Sequence, residues 1–209
     1  MKLILFGLFF TLILDMTTAI AEVLPVDQST LDEIRQTAGE KGTFGRIKLP
    51  KDSEIRKAAN WGGPLFAIPP MANVDFRFPR AQAAFFAANA KEKFIPLDSS
   101  NWRPELFNAG VLVEVSRSEK YYVFKMDRIV CVLPNDSVIQ PVWTVLDTVE
   151  HSDPETTRPD VIELRALFPL QVFNLKQDLQ FFVFGNAAAD KASRSKPVTI
   201  SAKDLAKER

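Results

Sequence analysis

His151 is the only histidine of this chain and Cys131 its only cysteine. Imidazole or thiol chemistry would therefore have to run through those two positions. His151 stands in Glu150-His151-Ser152-Asp153-Pro154-Glu155, with Asp147 and Asp160 nearby. A loop of that kind could offer carboxylate oxygens to a hard cation such as calcium. The calcium-loop pattern D-x-[DN]-x-[DN]-G is missing, however. A zinc site would ordinarily draw on several His or Cys ligands. The stretch reads as a solvated acidic loop between two strands, and neither a metal nor a cofactor is expected. Cys131 lies in Ile129-Val130-Cys131-Val132-Leu133. A reactive thiolate needs an electropositive, partly exposed setting, so this apolar run marks a small core residue. A Cys131–His151 nucleophile pair would require the fold to bring the two together.

The remaining catalytic patterns are thin. No G-x-S-x-G elbow is present. Ser193-Arg194-Ser195-Lys196 matches the S-x-x-K of penicillin-recognising enzymes, yet it sits in a polar C-terminal stretch with no S-D-N or K-T-G after it. Neither common phosphate-binding glycine loop occurs. Glu114 and Glu163, on separate expected strands, could meet as a carboxylate pair for sugar hydrolysis, although both are expected to face water. A hydrolase with dispersed carboxylates or a Cys–His pair thus stands behind two other readings.

The aromatics offer more. Trp61, Phe66, Phe76, Phe78 and Trp102 cluster in a section punctuated by Gly62-Gly63-Pro64, Pro69-Pro70 and Pro79. Proline at that density leaves no room for a long helix or a central strand across residues 61–80. Rings on irregular backbone make good binding anchors, because they present large area at small entropic cost. These five residues are the candidate binding surface. The competing reading is that the stretch wraps a sheet and its rings complete the core.

What positions these residues begins with where the chain goes. Lys2, an apolar run from Leu3 to Leu14 and then Ala19-Ile20-Ala21 follow the order of a secretory signal peptide. The apolar run is shorter than the ~20 residues that cross a bilayer. Residues 1–21 are expected to be removed, leaving a chain that starts at Glu22 in the periplasm or outside the cell. A single cysteine forms no internal disulfide, so stability must come from packing. Acidic and basic residues balance at 26 each. That balance disfavours nucleic acid as a partner and gives no electrostatic hold on anionic lipid. No stable membrane anchor is expected. The short leader favours a bacterial reading over a eukaryotic one, despite the sequon Asn135-Asp136-Ser137.

Periodicity then assigns the elements. Thr30-x-x-Glu33 is a capping box for a helix ending near Gly39, with Leu31 and Ile34 on one face. Ser53 is placed to cap a short helix through Asn60. Val74 to Phe78 alternates like a short strand. Arg80 to Phe94 is alanine-rich and predicts the best helix. Val111, Val113 and Val115 alternate, as do Lys120 to Met126 and Val161 to Phe168. Arg128 to Leu133 continues apolar, with Asp127 either a bulge or a break. Val142 to Val149 is a further strand. Leu170 to Leu175 and Leu179 to Phe184 bracket Lys176-Gln177-Asp178 as a hairpin. The expected fold is α+β: an antiparallel sheet, sandwich or partly closed barrel of about six or seven strands, with N-terminal helices on one face. Residues 22–109 form the helical and loop-rich part, 110–185 the β part of the same domain, and 186–209 a polar tail with a short helix from Ser201.

The leading expectation is a non-catalytic binding or assembly module of the bacterial envelope, with an envelope protein or cell-wall component as partner. The second is a carrier for a small apolar ligand, lined by Tyr122, Phe124, Phe182 and Phe184.

Overall fold

The computed structural model describes residues 25–40, 54–61, 71–118, 124–149, 161–173, 177–187 and 191–205. The expected export segment, Phe66, Tyr122 and His151 lie outside them. The fold is α+β, with two antiparallel sheets facing each other across a common core and no closed barrel. The first sheet joins β1 (Glu54–Asn60), β2 (Met71–Arg77), β3 (Val111–Ser118), β6 (Trp143–Val149) and β7 (Val161–Phe168) in the order β1-β2-β3-β7-β6. The second joins β4 (Phe124–Val132), β5 (Val138–Ile139), β8 (Leu179–Ala187) and β10 (Val198–Ile200) in the order β10-β8-β4-β5, with β9 (Lys191–Arg194) also pairing β8.

Side-chain alternation makes the sandwich. Ala72, Val74 and Phe76 of β2, Val111, Val113 and Val115 of β3, and Leu164, Ala166 and Phe168 of β7 all point inward and are buried. Phe181 of the opposite sheet meets them edge-on, 4.8 Å from Phe76 and 5.3 Å from Phe168 between ring centroids. Phe173 stacks on Phe181 at 5.9 Å and meets Phe78 edge-on at 5.6 Å. Edge-to-face packing of this kind adds to simple burial, because positive ring edges meet negative faces. Cys131 lies in the same core, where burial pushes its thiol up to about 12.

Several local expectations give way to tertiary pairing. Residues 54–60 form strand β1, not a helix, because their backbone pairs along the whole of β2 from Glu54↔Arg77 to Asn60↔Met71. The helical propensity of Lys57-Ala58-Ala59 is a weaker preference than those ladder bonds. β2 is an interior strand, since Pro70 and Pro79 flank it without interrupting it. Leu170–Val172 is a single 3₁₀ turn after Pro169, not the first arm of a hairpin. Asp127 marks a bulge: β4 runs on, with a register shift between Met126 and Arg128.

Residues 191–200, expected as polar tail, supply β9 and β10. β4 occupies one edge of β8 from Gln180 to Ala187, so β9 and β10 share the other. Phe184↔Arg194 and Phe181↔Val198 leave one extra residue on their side. Ser195 sits in that irregularity, accepting the Val183 N–H on its hydroxyl at 3.1 Å and donating its own N–H to the Val183 carbonyl. Lys196 then donates its N–H to the Asn60 carbonyl at 2.7 Å, tying the second sheet to β1.

The N-terminal helices lie on the outer side of the first sheet. α1 (Gln28–Glu40) begins earlier than the Thr30 box implies, because Asp27 caps it by accepting the Thr30 N–H at 2.7 Å. That hydrogen bond also holds the Asp27 carboxyl below its usual range. α2 (Pro79–Glu92) starts with Pro at its first turn, where no N–H is needed. Its Gln82 side chain donates to the Arg77 and Gly110 carbonyls, fastening the helix to the ends of β2 and β3. Gly110 is required there, since a Cβ would run into the Phe168 carbonyl oxygen. Ala83, Ala84 and Ala87 of α2, Leu31 and Ile34 of α1, and Trp102 and Phe107 form a second, smaller apolar cluster. Phe107 belongs to α3 (Pro104–Phe107). α4 (Ala202–Leu205) opens at Ser201 with a reciprocal cap: Asp204 N–H donates to the Ser201 hydroxyl, and Ser201 N–H to the Asp204 carboxylate.

Candidate functional site

The aromatic residues singled out in the sequence are placed as packing elements. Trp61, Phe76 and Phe78 lie in the inter-sheet core, and Trp102 lies in the helical cluster between Phe86 and Phe107. All four are buried. They therefore offer no surface to a partner in this conformation, and Phe66 lies outside the described residues. The physical reason is strand parity for Phe76 and Phe78, whose side chains fall on the inward face of β2 and its extension. Phe182 and Phe184, considered as cavity lining, are on the outward face of β8. Cys131 stands opposite Ile139 and Phe181 in its sheet.

The carboxylates on the outward face of β1, β2 and β3 meet arginine. Arg77 forks onto Glu114 with two hydrogen bonds of 2.9 Å and donates to Glu54 at 3.3 Å. Its guanidinium also lies 4.0 Å from the Phe85 ring centroid, so α2 roofs the network. Asp75 sits beside this network, and burial, with Glu54 as a second cause, raises its pKa. Glu163 shares the outward face with Glu114 as a diagonal neighbour, since Glu114 opposes Arg165 and Glu163 opposes Ser116. Glu114 is tied to Arg77, which holds it as an ion-pair partner within the sheet.

Strand β6 is, with β1, one of the two edge strands of the first sheet. Among the described residues it pairs only with β7, leaving its other edge open. Residues 142 to 147 are all exposed, on both faces of the strand. Val142 is 65% exposed, Leu146 52%, Val145 44% and Trp143 41%. Val138 of β5 adds a further exposed apolar side chain. The one charge among these β6 residues, Asp147, is paired to Arg165 of β7. Natural edge strands are usually blunted by lysine, proline, a bulge or shortness. Trp143 to Val149 has no lysine or proline, and its register with β7 runs unbroken from Trp143↔Leu167 to Val149↔Val161. An open row of backbone donors and acceptors, flanked by apolar side chains, is the geometry to which another extended chain adds. Trp143 would supply the rigid aromatic anchor that such contacts favour.

Sequence reasoning placed the strand but not its exposure. Val142-Trp143-Thr144-Val145-Leu146 is apolar at both parities, a pattern that ordinarily marks a strand covered on both faces. The near absence of charge in a strand of this length was the available signal, and it becomes informative only once the strand is known to stand at an edge. No protein-family model, no curated protein and no solved structure matches this chain.

Proposed function

We propose that this chain is an exported, non-catalytic binding or assembly module of the bacterial envelope that takes its partner by strand addition at β6. The observation that carries the reading is the open, apolar edge of β6, uncharged apart from one paired aspartate. Main-chain hydrogen bonds along such an edge supply affinity, and side chains pointing alternately to the two faces supply selectivity. Export is supported by Lys2, the apolar run and Ala19-Ile20-Ala21. No helix among the described residues is long and apolar enough to cross a membrane. The partner is an envelope protein presenting an extended segment.

Cross-linking in the native envelope tests this. A photoreactive residue at position 145 of the full chain should capture a partner, and Leu146→Lys on the same chain should abolish the product. The same probe at exposed Ser99, in the loop after α2, serves as the control. Equal capture at both positions, or capture that survives Leu146→Lys, would remove β6 as the binding edge. A product of twice the chain's own mass would make the added strand that of a second copy. Mass spectrometry of the recovered protein should find Glu22 at the N-terminus, and an intact Met1 start would overturn export.

A further inference from the structure

On the outward face of the second sheet, Arg128 of β4, Phe184 of β8 and Arg194 of β9 are register partners in one row across three strands. The next row sets Val130 opposite Phe182. The Arg128 guanidinium carbon lies 4.6 Å from the Phe184 ring centroid, and that of Arg194 lies 4.9 Å from the Phe182 centroid. Both arginines are exposed, while Val130 and Phe182 are buried beneath the layer they form. Among the described residues no carboxylate pairs with either arginine. Arg56, Arg77, Arg80 and Arg165 each meet an acid.

We propose that the Arg128–Phe184–Arg194 row is a docking site for an acidic, extended polypeptide segment that presents two carboxylates on one face. This surface lies on the sheet opposite β6 and does not depend on the strand-addition reading. Two strand spacings separate the arginine backbones by about 10 Å. Stacking on a phenyl ring uses the flat face of a guanidinium and leaves its N–H edge free. A carboxylate can then fork onto that edge, and the ring-held group loses little freedom when it does. Two like charges flanking one strand repel each other. An acidic partner removes that cost, which is the charge complementarity that selects it. Glutamates two apart in an extended segment have Cα atoms about 7 Å from each other, and their flexible stems cover the remaining distance. The side chain between them points away from the sheet, so the contact rests on the two carboxylates. Nucleic acid fits less well, because the chain has 26 acids against 26 bases and no basic excess for counterion release.

Fluorescence anisotropy of the full chain with a fluorescein-labelled acetyl-Gly-Glu-Leu-Glu-Gly peptide tests the site. Saturable binding is expected, weakening about tenfold, or by about 1.4 kcal/mol, in Arg128→Gln and again in Arg194→Gln. The peptide with Gln in place of Glu should bind about tenfold more weakly to the unaltered protein. Arg128→Lys keeps the charge without the fork and should restore only part of the loss. Leu146→Lys on β6 should leave the affinity unchanged. If a Gln variant fails to fold, Arg128→Lys and the two peptides on the unaltered protein decide. No saturable binding, equal affinity for the two peptides, or folded variants with unaltered affinity would overturn the site. A thymidine oligonucleotide of equal charge that binds more tightly than the glutamate peptide would overturn the polypeptide assignment.

Discussion

Strands β2 and β6 belong to the same sheet and have the same length, yet their aromatic residues have opposite fates. Phe76 of β2 is fully buried, whereas Trp143 of β6 is 41% exposed. β2 comes from the proline-punctuated section that reads as irregular, and β6 from one that reads as regular strand. What separates them is position. β2 has β1 and β3 on its two sides and Phe181 of the facing sheet against its inner face. Among the described residues β6 has β7 on one side and no paired strand on the other. Regularity of the local pattern therefore says little about exposure, and place in the sheet decides it. The same contrast holds for charge. Arg77 on β2 serves Glu54 and Glu114 in a nearly buried network, while Arg165 on β7 meets Asp147 at the open edge, where half of the Asp147 side chain is exposed.

The sharpest way to break this comparison is to truncate the two rings. Phe76→Ala should cost about 3–5 kcal/mol, because it empties a site against Phe181. Trp143→Ala should cost less, about 1–2 kcal/mol, because the ring is 41% exposed. Urea denaturation measures both, and equal losses would show that β6 is covered in solution. The ion pairs give the next largest contrast. Arg77→Gln should cost about 2–4 kcal/mol, since it strands two poorly solvated glutamates, while Asp147→Asn should cost under about 1 kcal/mol. Melting curves that fall equally for both would deny the difference in burial.

The pH dependence sharpens the picture around β1 and β2. The hydrogen bond from Lys57 of β1, at 2.9 Å, and those from Ser201 hold the Asp204 carboxyl at about 2. With an unfolded value of 3.8, Asp204 stabilises the fold above that pH. The contribution, about 1 kcal/mol after allowance for its partial exposure, fades as the pH falls towards 2. Asp75 works the other way: its raised pKa means the folded state binds its proton more tightly, so stability drops as the pH rises from 3.8 through the folded value. Asp75→Asn should raise the melting point at pH ~7 and lose that advantage in acid, whereas Asp204→Asn should lower it at neutral pH. Parallel melts across pH distinguish the two.

The smallest effect concerns the helical layer. Phe94 has a φ of 55° and is 93% exposed. It occupies the left-handed position after α2, where Ile95 N–H reaches back to the Ala90 carbonyl and Phe94 N–H to that of Lys91. Glycine is the usual residue at such a helix end. Phe94→Gly should gain about 0.5–1 kcal/mol, the relief of the strained backbone exceeding the added freedom of the unfolded chain. A loss on thermal denaturation would mean that the exposed ring makes stabilising contacts.

Read by itself, the sequence determined the parts that repeat. Alternation at Val111, Val113 and Val115 and at Leu164, Ala166 and Phe168 identified inward faces, because a strand's period of two ties parity to side. The alanine-rich run identified α2, and the apolar setting of Cys131 identified a core thiol. Tertiary structure alone decided which elements meet. Glu54–Asn60 became a strand because β2 was there to pair with it, and residues 191–200 joined the sheet because one edge of β8 was free. It alone put Phe76, Phe78 and Trp61 inside and Trp143 outside, and it stacked Arg128 and Arg194 on phenyl rings of β8. The reason is the range of the forces: dihedral preference and side-chain parity act within a few residues, whereas exposure depends on which distant strand lies alongside.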